Sequence, residues 1–199
     1  MKHKNIAERI NQMANNDLKL RNELIQKGEL GNGYNKEMEE LHNHNSVLLD
    51  AIIDEIGYPT IDLVGEKASD ATWLIIQHSI GNPAFMRKCK ALIDKAVSEN
   101  KAKPENLAYL TDRIAVLEDK PQLYGTQFDW DENNELNPNQ VDDLTKVDER
   151  RKAIGFNSLQ EQTAIMRQRV KDENQSPPTD HKQRKAEMDK WRKAVGWID

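Results

Sequence analysis

The spacing of apolar side chains up to Leu117 constrains the fold more than any other feature of this sequence. In the first segment, apolar residues recur every three or four positions and stop before a glycine: Ile6, Ile10, Met13, Leu20, Leu24 and then Gly28. This spacing lines one face of an α-helix, and glycine suits the residue that closes a helix. Similar series predict helices from Gly31-Asn32-Gly33 to Gly57, over residues 66–79, and from Pro83 and Pro104 onward.

The pattern changes after the fifth helix. Residues 122–130 show an alternating pattern of side chains that includes aromatic residues, which is typical of a strand, and Glu132-Asn133-Asn134 suits a turn. We therefore expect one hairpin near 122–137. Short helices are expected around 147–154 and 158–171, and a last one ends at Gly196-Trp197. The sequence thus predicts a mainly α fold, a helical bundle with one short β-hairpin and short C-terminal helices. We expect a helical domain over 1–172, with a linker and C-terminal helix over 173–199 packed on or beside it.

Composition excludes several classes of protein. The 199 residues carry a formal charge of -5, which does not favour a nucleic-acid partner. A single cysteine, Cys89, rules out an internal disulfide and cysteine-rich zinc sites. The sequence has no apolar run of membrane-spanning length, and the charged helical pattern at its start is not typical of a signal peptide. We therefore expect a cytoplasmic protein with no membrane partner; the sequence does not indicate its oligomeric state.

Polar residues interrupt the apolar faces of four predicted helices. Asp17 falls in the first stripe, with Arg21 one turn later as a pairing partner, and Asn45 falls in the second with His42 on its flank. His78 continues the third stripe, and Asp112, with Arg113 beside it, lies between Ala108 and Ala115. An unpaired buried polar group costs about 1–3 kcal/mol, so we expect these groups to share one polar centre. The centre is either a structural network that fixes helix register or an acid-base site around His78.

The sequence also resembles a bacterial family of domains of unknown function. The resemblance covers most of residues 10–165 and is carried by segments 57–65, 71–78, 107–113, 121–128 and 147–151, which include Gln77-His78 and Tyr109-Leu110-Thr111-Asp112-Arg113. It implies no activity, but it adds weight to seven positions: His78, Asp112, Arg113, Gln122, Tyr124, Thr126 and Gln127. The chain departs from the family pattern at His42, where an acidic residue is expected in the motif that ends at Asn45.

The hairpin motif offers neutral groups that suit the orientation of a small ligand. Gly125 permits close approach of the backbone, while Gln122, Tyr124, Thr126 and Gln127 supply donors and acceptors. Strand alternation puts Gln122, Tyr124 and Thr126 on one face, and Gln127 on the other. The alternative is that these polar side chains tie the hairpin to the helices.

Three functions follow from this pattern. The first is a small-ligand-binding enzyme of hydrolytic or transfer type, in which His78 is the general base, Asp112 or Asp17 orients it and Arg113 anchors an anionic group. Ligand-binding residues are then Asp17, Arg21, Asn45, Gln122, Tyr124, Thr126 and Gln127. The second is a metal site of His42, His78, Asp17 and Asp112, but the helical Glu-x-x-His signature is missing, so we assign no metal and no cofactor. The third is a non-catalytic interaction module that uses Trp191 and Trp197 as anchors.

Overall fold

The computed structural model describes residues 2–29 and 33–199. They form nine helices and two strands, which confirms the mainly α prediction. The chain divides into two compact units, residues 1–106 and 107–199, with the boundary inside one helix. No helix in the described part of the chain combines the length and the apolar character needed to cross a membrane.

The first unit is built from long amphipathic helices. Helix α1 is Lys4–Lys27, α2 is Lys36–Ile56, α3 is Ile61–Val64, α4 is Glu66–His78 and α5 is Pro83–Ser98. Helix α1 packs against α2, α3 and α4, and α4 also contacts α2 and α5. The core contains residues of the predicted stripes, such as Ile10, Leu24 and Ile93, together with Leu49 and Ile76, and all five side chains are fully buried.

Capping residues explain where several helices begin and end. Gly28 closes α1 in the left-handed conformation, at φ 70°. Asn35 caps α2 by accepting hydrogen bonds from the backbone N–H groups of Glu37 and Met38, and Asn82 caps α5 just before Pro83. The short helix α3 was not predicted, because four residues are too few to show a helical period. The turn expected at Gly31-Asn32-Gly33 has its first two residues outside the described part of the chain.

The second unit combines short helices with the hairpin. Helix α6, Pro104–Leu117, spans the boundary between the units, and α7, α8 and α9 are Val147–Ala153, Leu159–Asp172 and His181–Val195. Strand β1, Phe128–Trp130, pairs antiparallel with β2, Leu136–Pro138, in the register Asp129 opposite Asn137. Helix α8 packs on β2 and on α7.

The hairpin prediction is confirmed, but its first half is not a strand. Residues 123–127 form a loop, and Gln122 makes only an isolated bridge to Val141. The expected alternation of Gln122, Tyr124 and Thr126 on one face is therefore wrong. The physical reason is that the N–H groups of this segment bond to side chains rather than to a neighbouring strand, as described below.

Candidate functional site

Three polar side chains meet inside the first unit, each from a different helix. Asp17 comes from α1, His42 from α2 and His78 from the last residue of α4. One carboxylate oxygen of Asp17, Oδ2, lies 2.9 Å from Nδ1 of His78 and 3.1 Å from Nε2 of His42. The two imidazole rings are tilted against each other with their centroids 5.0 Å apart. We call Asp17, His42 and His78 the Asp17 cluster.

The helical period explains why these residues meet. Asp17 follows the buried Met13 and Ala14 by four and three positions, so it continues the face that α1 turns toward its neighbours. Because α1, α2 and α4 pack against one another, the polar positions of their inner faces come together. His78 lies at the end of its helix, and its side chain stays 23% exposed, while Asp17 is 0% exposed.

The charge on Asp17 is set by its two imidazole neighbours. Burial alone raises the pKa of this carboxyl, but its close contacts with His42 and His78 outweigh that effect and lower the pKa far below its ordinary value. Asp17 is therefore ionised at neutral pH and can only accept hydrogen bonds. The proton shared with His78 accordingly belongs to Nδ1 of the imidazole, which leaves the lone pair of a neutral ring on Nε2.

His42 is held from its other side by Tyr34. The Tyr34 hydroxyl oxygen lies 2.6 Å from Nδ1 of His42. Burial, followed by the negative charges of Glu39 and Asp17, raises the pKa of Tyr34, so the phenol stays protonated at neutral pH. The helical period puts His42 on the flank of its stripe, whereas the structure buries it at 7% exposure. Tyr34 gave no sequence signal, since it lies before the cap of α2 and outside any helical period.

Two atoms of the cluster lack a well-formed hydrogen bond. Oδ1 of Asp17 and Nε2 of His42 are fully buried, and neither has a hydrogen-bond partner among the described residues. The 3.1 Å approach of Nε2 to Oδ2 is thus a close electrostatic contact without hydrogen-bond alignment. Buried polar atoms of native proteins are nearly always paired, so two unpaired atoms in one cluster make it a candidate binding site.

Arg21 and Asn45, the other two ligand-binding candidates of this unit, are not part of the Asp17 cluster. The expected pairing of Asp17 with Arg21 is wrong, because Arg21 is exposed and the carboxylate contacts the two histidines instead. Asn45 is buried at 2% exposure, one turn after His42, and its amide nitrogen has no partner within the described part of the chain.

In the second unit, Asp112 organises the loop before the hairpin. Its Oδ1 accepts hydrogen bonds from the backbone N–H groups of Leu123 and Tyr124 at 2.8 and 3.1 Å, and its Oδ2 accepts one from Thr126 at 2.9 Å. Burial raises the pKa of Asp112, while these donors oppose that effect. The carboxylate thus replaces the neighbouring strand that this segment lacks.

Gln122 and Gly125 complete the same loop. Gln122 is fully buried: its Nε2 donates to the carbonyls of Gln127 and Asn139, and its Oε1 accepts from the N–H of Gln127 at 2.7 Å. Gly125 adopts φ +65°, and a Cβ there would lie 2.6 Å from Cδ1 of Leu159. Glycine is required at this position both by its conformation and by this close packing.

Three more motif side chains, those of Arg113, Thr126 and Gln127, form hydrogen bonds within the same unit. Nε of Arg113 donates to Oε1 of Gln127, whose Nε2 donates to the Thr126 hydroxyl at 3.0 Å. The buried Arg151, which the sequence analysis did not single out, donates to the carbonyl of Tyr124 at 2.7 Å. These contacts favour the interpretation that the motif ties the loop to its helices, and the ligand-binding and catalytic roles of its residues stay predictions.

Two cavities are described, one in each unit, and His78 lines neither of them. The first, about 570 Å³, is lined by Tyr58, Asp70 and Lys103 among others. The second, about 710 Å³, lies between the end of β2 and helices α7 and α8, beside Asn137, Leu144 and Arg167. The polar pocket expected around His78 therefore stays a prediction.

The proposed tryptophan anchors lie in the second unit. Trp197 is only 4% exposed, and the neighbouring Arg192, also buried, donates to the carbonyl of Val116 at 3.0 Å. Trp191 is partly buried. Since the side chain of Trp197 is buried, it is poorly placed to anchor a partner.

A comparison with models of known protein families identifies a family that covers most of the chain. The model of a family of unknown function, DUF6624, matches residues 5–171. No curated protein and no solved structure matches the chain. The matched range contains all three residues of the Asp17 cluster and the whole loop around Asp112.

Proposed function

Because the chain belongs to DUF6624, a family of unknown function, its activity must be argued from the site itself, and we propose a small-molecule enzyme of hydrolytic or transfer type. In this proposal His78 is the general base, and Asp17 is the positioning residue that orients it. His78 removes the proton from a water molecule or from a hydroxyl or amine of the acceptor as its oxygen or nitrogen bonds to the electrophilic centre of the substrate. The bond between that centre and the leaving group breaks, and the leaving group departs with the proton that His78 returns.

The observation that carries the proposal is the contact between Nδ1 of His78 and Oδ2 of Asp17 at 2.9 Å. A buried carboxylate that accepts from one nitrogen fixes the tautomer of the ring and leaves the other nitrogen free to take a proton. The carboxylate also stabilises the imidazolium that forms during the transfer. The partial exposure of the His78 side chain, 23%, gives a substrate access that Asp17 and His42 do not have.

The other nucleophile candidates near α4 and α5 are unsuitable, which favours a base-catalysed step. Cys89 is fully buried, and burial strongly raises the pKa of its thiol, so the reactive thiolate does not form at neutral pH. Ser79, next to His78, is fully buried and donates its hydroxyl to the carbonyl of Ile75. A proton acceptor that activates water or a substrate hydroxyl therefore fits this environment better than covalent catalysis.

The test is a screen of chromogenic carboxylic esters, phosphate esters and glycosides in the presence of EDTA. For a substrate that wild type turns over, His78→Ala is expected to lower kcat about 10²- to 10⁴-fold, the range typical of a lost general base. His44→Ala is the matched control, since His44 is exposed on the same helix as His42. Equal kcat values for wild type and His78→Ala would overturn the proposal, as would a wild-type protein that turns over no member of the screen.

A further inference from the structure

We propose that the Asp17 cluster is a binding site for a divalent transition-metal ion such as Zn²⁺. The inference goes beyond the proposed function, because binding of an ion can be measured without any substrate. The ligands are Oδ2 of Asp17, Nε2 of His42 and Nδ1 of His78. Two imidazoles and one carboxylate are a ligand set that suits Zn²⁺ and other divalent ions of the first transition row.

The distances between the ligand atoms fit such an ion. Oδ2 lies 2.9 Å from one nitrogen and 3.1 Å from the other, and the three atoms all lie within 4.8 Å of one another. Zinc bonds to nitrogen and oxygen are about 2.0–2.2 Å long, so neighbouring ligand atoms are separated by about 3.4 Å in a tetrahedral site and by about 3.0 Å at the right angles of a five-coordinate site. The two contacts to Asp17 have the second of these spacings and lie a few tenths of an ångström below the first.

The two buried atoms of the cluster that have no hydrogen bond also support a metal site. Nε2 of His42 and Oδ1 of Asp17 are buried without a partner among the described residues. When Nδ1 of His42 donates to the Tyr34 oxygen at 2.6 Å, the lone pair of the neutral ring is on Nε2, close to a carboxylate oxygen. Two lone pairs in that position repel each other, and a cation between them removes the repulsion.

The surroundings supply the remaining features of a metal site. A histidine that binds a metal usually has its second nitrogen hydrogen-bonded, and Tyr34 provides that bond to His42. Three protein ligands leave at least one coordination position open, as in catalytic rather than structural zinc sites. The partly exposed side of the cluster is the side of His78, where solvent or a ligand reaches the ion.

Metal binding and the general-base role of His78 exclude each other in one molecule. The ion takes the lone pair of Nδ1, so that nitrogen no longer carries the proton that Asp17 accepts in the metal-free form. A metal-bound His78 therefore has its proton on Nε2 and cannot act as a base there. Activity in EDTA tests the proposed function, and binding of the ion tests this inference, so the failure of one is distinguishable from the failure of the other.

The experiment uses the full chain after removal of any affinity tag and of bound metal. Calorimetry measures the affinity for Zn²⁺, and visible absorption measures the binding of Co²⁺. We expect one ion per chain and Co²⁺ bands typical of a four- or five-coordinate site. His42→Ala is expected to weaken Zn²⁺ binding more than 10-fold, and Tyr34→Phe, which keeps all three ligands, about 10-fold. His44→Ala should bind like wild type.

Circular dichroism establishes that each variant is folded before binding is compared. If His42→Ala does not fold, His78→Ala replaces it, because the partly exposed His78 side chain is easier to remove. Equal Zn²⁺ affinities for wild type and the ligand variants would overturn the inference. The absence of Co²⁺ bands in wild type would overturn it as well.

Discussion

Nδ1 of His78 lies 2.9 Å from Oδ2 of Asp17, a residue 61 positions earlier in the chain. Through this contact a fully buried carboxylate faces a partly exposed imidazole. His42 contacts the same oxygen from a third helix, so one carboxylate connects three helices of the first unit.

Asp17→Asn is expected to remove activity while keeping the shape of the site. The amide cannot offer two anionic oxygens to the histidines, so His78 loses the partner that fixes its tautomer and stabilises its imidazolium. For a substrate that wild type turns over, we expect kcat to fall about 10²-fold or more with little change in KM. Steady-state kinetics measure both, and a variant with wild-type kcat would show that Asp17 has no positioning role.

The stability of the protein should depend on pH through Asp17. Its pKa is lowered in the folded state by His42 and His78, so the unfolded chain binds the proton more tightly. The stabilisation is therefore fully present above the unfolded pKa of about 4, and it is lost as pH falls from there toward the folded pKa. The free energy of unfolding, measured with urea at several pH values between 5 and 2, should fall less steeply with decreasing pH for Asp17→Asn than for wild type. The same dependence on pH in both proteins would contradict this prediction.

Asp112→Asn is expected to destabilise the second unit. An amide nitrogen cannot accept a hydrogen bond, so at least one of the N–H groups of Leu123, Tyr124 and Thr126 loses its acceptor. We expect a loss of about 1–3 kcal/mol in the free energy of unfolding. Asp94→Asn is the control, because Asp94 is exposed. Similar urea midpoints for both variants would show that the loop does not depend on Asp112.

Gly125→Ala should destabilise the protein more than Gly155→Ala. Both glycines have positive φ, at 65° and 80°, and a side chain there costs about 1–2 kcal/mol. Only at Gly125 does the new Cβ collide, at 2.6 Å from Leu159, whereas Gly155 has open space. Thermal unfolding of both variants measures the difference. If the collision is its cause, adding Leu159→Ala should reduce the penalty of Gly125→Ala, and an additive double variant would contradict this explanation.

Cys89 is expected to resist alkylation in the folded protein. Its side chain is fully buried on α5, and burial raises the pKa of the thiol. Reaction with iodoacetamide at neutral pH, followed by mass spectrometry, should label Cys89 only after a denaturant is added. Rapid labelling without denaturant would show that α5 opens readily.

The helical period predicted which polar residues are buried. The expectation that they share one polar centre holds for Asp17 and His78, whereas Asp112 bonds to the backbone of the loop before the hairpin. Asp17, Asn45, His78 and Asp112 all lie on buried or partly buried positions, as their spacing indicated. Arg21 was the wrong partner for Asp17, because a position four residues later on a helix can still face solvent. The contact across 61 residues depends on how α1 and α4 pack, and no local pattern encodes that arrangement.

The loop before the hairpin was harder to predict for a different reason. Its alternating residues are typical of a strand, but Asp112 and Gln122 satisfy its backbone N–H groups in place of a neighbouring strand. Side-chain acceptors of this kind leave no periodic signature. Only Gly125 indicated an unusual backbone, and its neighbour Leu159 lies 34 positions further along the chain.

The most direct measurement of the central claim is the ¹⁵N NMR spectrum of the imidazole ring of His78 in metal-free protein, at a pH where the ring is neutral. We predict a protonated Nδ1 and a bare Nε2 in wild type, and a mixture of the two tautomers in Asp17→Asn. A wild-type ring with its proton on Nε2, or a spectrum unchanged by Asp17→Asn, would contradict the claim that Asp17 orients His78.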